Sequence, residues 1–191
     1  CIRDRVGHDW GGAITWEVAA RYPGRLGSAT IVSTPHPAAL LAALTDPESD
    51  QQVRSSYIQT FAEEGSEDQF LENDAAYLRS FYEEAGLSDE EMAPQLDVLN
   101  DQDAMRSALN AYRAAVLGGA SVTGPSTVPT MYVWSDGDTA LGPDAATATA
   151  DHVTGPYRFE VLEGVNHWIP EVAADELNAL LLDFLSGQDP L

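Results

Sequence analysis

Six residues near the start of this chain restrict its fold more than any other stretch. Gly7-His8-Asp9-Trp10-Gly11-Gly12 follows a short β-favouring run, Ile2 to Val6. It precedes Ala13, Ile14, Trp16, Val18, Ala19 and Ala20, which recur at helical spacing up to Tyr22-Pro23. Strand, sharp turn and helix follow one another too closely for an ordinary loop. In the spacing small-X-acid-X-small, the central side chain sits in strained backbone, and glycine is expected on either side where a Cβ would meet neighbouring chain. Asp9 is thereby pushed into the open at a helix N-terminus, whose free N–H groups favour an ionised carboxylate. Such a carboxylate is a competent nucleophile, and capping the helix is its ordinary alternative role.

The rest of the chain is read against that unit. Ser28 to Ser33 forms a second β-favouring run, ended by Thr34-Pro35-His36-Pro37 because proline cannot continue a central ladder. From Ala38 to about Gly124 the text is Leu- and Ala-rich, acidic and amphipathic near a 3.6-residue period, which predicts an all-helical insertion. Strands are expected again over Val128–Trp134 and Tyr157–Leu162, with a helix around Pro143–His152 between them and a closing helix over Glu171–Leu185. Strands alternating with helices imply an α/β fold with a parallel sheet covered on both faces. The expected division is a core of residues 1–37 and 125–191 and a lid-like helical block, 38–124. The 191 residues fit one domain with an insertion.

Composition excludes several functions. The formal net charge of −22 repels phosphate backbones and anionic headgroups, so nucleic acid and membrane surfaces are disfavoured partners. Such acidity also resembles the surfaces of salt-adapted proteins. All nine basic residues are Arg, which leaves no lysine for Schiff-base chemistry. The single cysteine, Cys1, cannot form an internal disulfide, no Cys/His spacing suggests a metal site, and no apolar run spans a bilayer. A cytoplasmic protein needing no cofactor is expected.

An Asp nucleophile gives a covalent ester, which a base-activated water must hydrolyse. His167, in Gly164-Val165-Asn166-His167-Trp168, lies between the last strand and the last helix, where the base belongs in the chain order nucleophile, acid, histidine. His8, His36 and His152 read as structural. The orienting acid should follow the preceding strand, where Ser135-Asp136-Gly137-Asp138 offers two carboxylates; Asp138 is favoured over Asp136.

Taken together, the Gly-His-Asp-Trp-Gly-Gly turn, the Thr-Pro-His-Pro exit, the Trp134-Ser135-Asp136-Gly137-Asp138 loop and the Gly-Val-Asn-His-Trp stretch resemble an epoxide hydrolase of the α/β-hydrolase fold. The resemblance implies a small-molecule epoxide and water as the reacting partners, and a helical cap in which two tyrosines hold the epoxide oxygen. Ser56-Tyr57-Ile58 and Ala111-Tyr112-Arg113 match those motifs best, with Tyr77 and Tyr82 as weaker substitutes. It also implies an oxyanion hole, one donor being the Trp10 backbone N–H. The family carries several strands before the turn, whereas Asp9 stands eight residues from the start of this sequence, so a fold lacking the N-terminal strands is expected, with the charged run Ile2–Val6 at an exposed edge. The alternatives are a haloalkane dehalogenase, which would use the Trp10 indole N–H to hold halide, and a truncated, inactive fragment that self-associates.

Overall fold

The computed structural model describes residues 3–84, 86–118 and 123–187; Cys1 and Ile2 lie outside them. The chain divides into two compact units, residues 1–55 with 121–191, and residues 56–120.

The first unit is built on four strands, β1 (Arg3–His8), β2 (Leu26–Val32), β3 (Thr130–Ser135) and β4 (Tyr157–Leu162), all parallel and in spatial order β1-β2-β3-β4. Helix α1 (Trp10–Arg21) connects β1 to β2, and α2 (Pro37–Thr45) and the single turn α3 (Gln51–Arg54) follow β2. Helix α8 (Pro143–Ala148) and a 3₁₀ turn, Thr149–His152, connect β3 to β4; α9 (Ile169–Val172) and α10 (Ala174–Ser186) close the chain. Strand periodicity sorts the core into two layers. Ile31, Tyr132 and Trp134 pack with Trp16 and Ala19 of α1 and Ala146 of α8. Their sequence neighbours Val32, Met131 and Val133 turn to the other face, against Ile169, Ala173, Leu177 and Phe184. A fully buried Trp16 makes the first layer expensive to disturb; truncation to Ala costs about 3–5 kcal/mol.

Among the described strands, β1 stands at one end of the order. Arg3, Asp4 and Val6 are exposed, while Asp4 accepts from Ser28 Oγ at 2.7 Å and Arg5 Nε donates to Thr15 Oγ1 at 3.2 Å. The strand runs on through Gly7 and His8, so the bend falls at Asp9 alone. The closing helix breaks at Ala173 (φ −135°, ψ 40°), which separates α9 from α10.

The second unit contains α4 (Tyr57–Ala62), α5 (Ser66–Glu84), α6 (Asp89–Leu99) and α7 (Gln102–Gly118). Helix α6 begins with a capping box between Ser88 and Glu91, and α5 is broken at Asn73, Asp74 and Ala75, three successive residues at positive φ. Segment 38–55, expected with the helical block, instead belongs to the sheet unit. Its helix α2 packs on α8 and the 3₁₀ turn, and His36 caps it, accepting from Ala38 N at 3.2 Å.

Candidate active site

Open parallel sheets present their loops at the carboxyl ends of the strands, and the residues singled out above leave from those ends. Asp9 follows β1, Asp138 follows β3 by three residues, and His167 follows β4.

Asp9 has φ 52° and ψ −120°, a conformation a non-glycine residue adopts only when its surroundings impose it. The imposition is visible on both sides. The Asp9 carbonyl accepts from Ala13 N at 3.0 Å and from Thr34 Oγ1 at 2.7 Å. A Cβ on Gly7 would run into the Gly11 carbonyl and lie 2.5 Å from Thr15 Oγ1, and one on Gly12 would lie 3.0 Å from Ile31 Cγ2. Gly11, by contrast, has open space around it, so the crowding falls on Gly7 and Gly12 rather than on the symmetric pair Gly7 and Gly11. The Asp9 side chain does not make the usual N-cap hydrogen bond deeper into α1.

His167 lies between the two carboxylates. Its Nδ1 is 2.8 Å from Asp138 Oδ2, and its Nε2 is 3.4 Å from Asp9 Oδ1. Side-chain exposure rises along this row, from 0% at Asp138 through 15% at His167 to 38% at Asp9, so the solvent-facing end is the Asp9 end. Burial works against charge on His167, but hydrogen bonds and charge from Asp138 and Asp9 outweigh it and push its pKa up to about 10. Burial works the same way against ionised Asp9, and the His167 bond and charge together with the Trp10 backbone N–H still hold its carboxyl below the usual range. These partners favour the protonated imidazole at neutral pH, with Asp138 on one side of the ring and Asp9 on the other.

Asp136 and Asp138 have separate partners. Exposed Asp136 accepts from Gly164 N at 2.6 Å and ties the β3 loop to the β4 loop, while Asp138 faces His167. Asp138 Oδ1 accepts from Ala140 N at 2.8 Å and Leu141 N at 2.9 Å, which leaves Oδ2 for the imidazole.

Sequence reasoning passed over several supports. His8 Nε2 donates to the His167 carbonyl at 2.9 Å, and Ser33 Oγ donates to the same oxygen at 3.0 Å. Ser33 itself stands at φ 66°, with its own carbonyl accepting from Tyr132 OH. Burial and the neighbouring His167 charge lower the His8 pKa, so it stays a neutral donor. Buried Gln51 and half-buried Arg54 also reach the Asp138 loop. His36 and His152, read as structural, stack at 4.6 Å, and His36 Nε2 donates to the Gly124 carbonyl.

In the second unit, Tyr57 and Tyr112 come together, ring centroids 6.3 Å apart, each edge-on to Phe61 at 5.0 Å. Tyr82 is buried, and Tyr77 packs between Phe70 and Phe81.

A parallel sheet that delivers an acid, a second acid and a histidine from its strand ends, in that chain order, defines a class of hydrolytic fold. Residues 5–174 match the family described as alpha/beta hydrolase fold, and the chain belongs to it. Among curated relatives it is 30% identical over 192 residues to AB hydrolase superfamily protein YfhM of Bacillus subtilis, covering 96% of this chain and 65% of that protein. It is 25% identical to human Epoxide hydrolase 4, covering 96% of this chain and 53% of that protein. The chain thus spans about half to two thirds of the length of these relatives. The crystal structure of Bacillus megaterium epoxide hydrolase with an inhibitor superposes with a TM-score of 0.80 at 21% identity, over 95% of this chain and 68% of that one, a likeness of fold. Among the described residues, no helix is long and apolar enough to cross a membrane.

Proposed function

We propose that this chain carries the hydrolytic centre of an epoxide hydrolase, which opens an epoxide to a diol through an ester on Asp9. The observation that carries the proposal is the placement of His167 within 2.8 Å of Asp138 and 3.4 Å of Asp9, beside a bend that holds Asp9 at positive φ. The epoxide hydrolases among the relatives support the substrate class.

In the first step an Asp9 carboxylate oxygen attacks a ring carbon, the C–O bond breaks, and the released oxygen takes a proton from a phenol. Tyr57 and Tyr112 are the proposed donors, since phenols near pKa 10 can protonate an alkoxide. Solvent restores the phenol. Esterification removes the Asp9 charge, one of the two that hold His167 protonated, so the imidazole now loses its proton to solvent more readily. In the second step neutral His167, oriented by Asp138, takes a proton from water, and the hydroxide adds to the Asp9 ester carbonyl. The Trp10 N–H helps bear the oxyanion. Collapse of the adduct expels the substrate oxygen, which takes its proton from the newly formed Asp9 carboxyl; the diol leaves, and an Asp9 carboxylate again faces protonated His167. Both tyrosines belong to the helical unit.

His167→Gln, incubated with styrene oxide, is expected to gain one substrate mass on Asp9 and stop, as read by intact-protein mass spectrometry. Normal turnover with no adduct would overturn the assignment of the base. The exposed Trp10 beside Asp9 favours haloalkane dehalogenation as a second reading. Halide release from a chloroalkane, without diol formation from styrene oxide, would establish it instead.

A further inference from the structure

Gln51 is a wholly buried polar side chain outside the set of residues just given roles, and an amide in that position must be bonded or destabilise the fold. It makes three hydrogen bonds. Its Nε2 donates to the Ala140 carbonyl at 2.8 Å and to Ser55 Oγ at 2.9 Å, and its Oε1 accepts from Gly142 N at 2.8 Å. Two of the three therefore fall on one loop, the one between β3 and α8 that carries Asp138.

The geometry of that loop ties Gln51 to the Asp138 carboxylate. A trans peptide is planar, with its C=O and N–H pointing in opposite directions. The Ala140 carbonyl and the Leu141 N–H belong to one such plane. Gln51 holds the carbonyl end, and the N–H end donates to Asp138 Oδ1 at 2.9 Å. The next plane is held at its Leu141 carbonyl by Trp134 Nε1 at 2.9 Å and at its Gly142 N–H by Gln51 Oε1. One turn further along α3, Arg54 Nη1 donates to the Asp138 carbonyl at 2.7 Å, while its Nε bonds Asp50 at 2.9 Å. The loop thus cannot rotate its amides without breaking a bond to Gln51, and those amides fix which oxygen Asp138 turns toward His167.

We propose that Gln51 is a positioning residue for the histidine base: it orients the Asp138 loop so that Oδ2 faces His167 Nδ1. Its kinetic consequence rests on the epoxide hydrolase reading; its structural consequence does not. Because His167 serves the hydrolysis of the ester and not its formation, loss of Gln51 slows only the second half-reaction.

The test uses Gln51→Met, which keeps the length and removes all three bonds, and Gln51→Glu, which keeps the shape and an acceptor for Gly142 N but places a carboxylate oxygen against the Ala140 carbonyl. The first readout is the low-field proton resonance of the His167 Nδ1–H···Asp138 bond. It is expected to move upfield and broaden in both variants while their thermal melts stay cooperative; an unchanged resonance overturns the proposal. The second is turnover of styrene oxide. kcat is expected to fall by about 10- to 100-fold, the scale set by misplacing a reacting group. kcat/KM, which reports ester formation, stays within about 2-fold, and the ester accumulates on Asp9. A parallel fall in kcat and kcat/KM, or an undiminished kcat, overturns it. Should Gln51→Met fail to fold, Gln51→Glu carries both readouts. If His167→Gln forms no adduct, the epoxide hydrolase reading fails, and the resonance still decides the role of Gln51.

Discussion

Acidification is expected to destabilise the sheet unit through one histidine. His36 is wholly buried, with its Nδ1 accepting from Ala38 N and its Nε2 donating to the Gly124 carbonyl. Burial lowers its pKa to about 4; the Gly124 carbonyl and Glu17 oppose this, and stacked His152 adds to it. The unfolded chain returns it to its ordinary value of 6.5. Between these values the unfolded state binds more protons than the folded one, so stability rises with pH across the window and is lost as pH falls from 6.5 toward 4. Integrated from pH 7.5 to pH 5, the loss from this group is about 2 kcal/mol. Asparagine is a good N-cap that cannot titrate, so His36→Asn keeps an acceptor for Ala38 N and removes the linkage. Urea unfolding of both proteins at the two pH values isolates the effect, because every other titrating group is common to the pair. The wild type is expected to lose about 2 kcal/mol more than the variant. Equal losses, or a His36 imidazole that titrates by NMR near 6.5, would refute the reasoning.

Other expectations are open to simpler measurements. Gly7→Ala drives a Cβ into the Gly11 carbonyl and is expected to destabilise by about 3 kcal/mol or more, whereas Gly11→Ala, with open space, stays within about 1 kcal/mol; thermal melting separates them. Asp136→Asn retains an oxygen for Gly164 N and is expected to change turnover less than about 2-fold, while Asp138→Asn removes a charge from His167 and lowers turnover by at least about 100-fold. The same Asp138→Asn change is expected to lower the His167 pKa, read by NMR. Raised to about 10 from 6.5, the wild-type His167 stabilises the fold fully below pH 6.5, and this contribution is lost as pH rises through 10; the variant keeps less of it to lose.

The parts of the fold legible in the sequence were those set by local pattern. The alternation of Ile31 with Val32, and of Met131 with Tyr132, marks strands buried on both faces, and Tyr157–Leu162 is a strand with the bounds expected. Gly7 through Gly12 announced a bend because only small residues fit there, yet spacing alone pointed to Gly11, and the crowding falls on Gly12. The expected boundary after Pro37 missed that α2 and α3 belong to the sheet unit, where α2 packs on α8, because an apolar helix does not declare its neighbour. Gln51, Ser33 and His8 were illegible for a related reason. Each acts through bonds to a carbonyl or amide 89 to 159 residues away, and such bonds leave no period or motif behind them.

The order of the strands acts as a ruler. Asp9 leaves from β1 and Asp138 from β3, two places apart in a sheet whose rows lie about 4.8 Å from one another, and the His167 ring, arriving from β4, stands 2.8 Å from one carboxylate and 3.4 Å from the other. The separation of the two carboxylates is therefore tied to the pitch of the pleated layer that bears them.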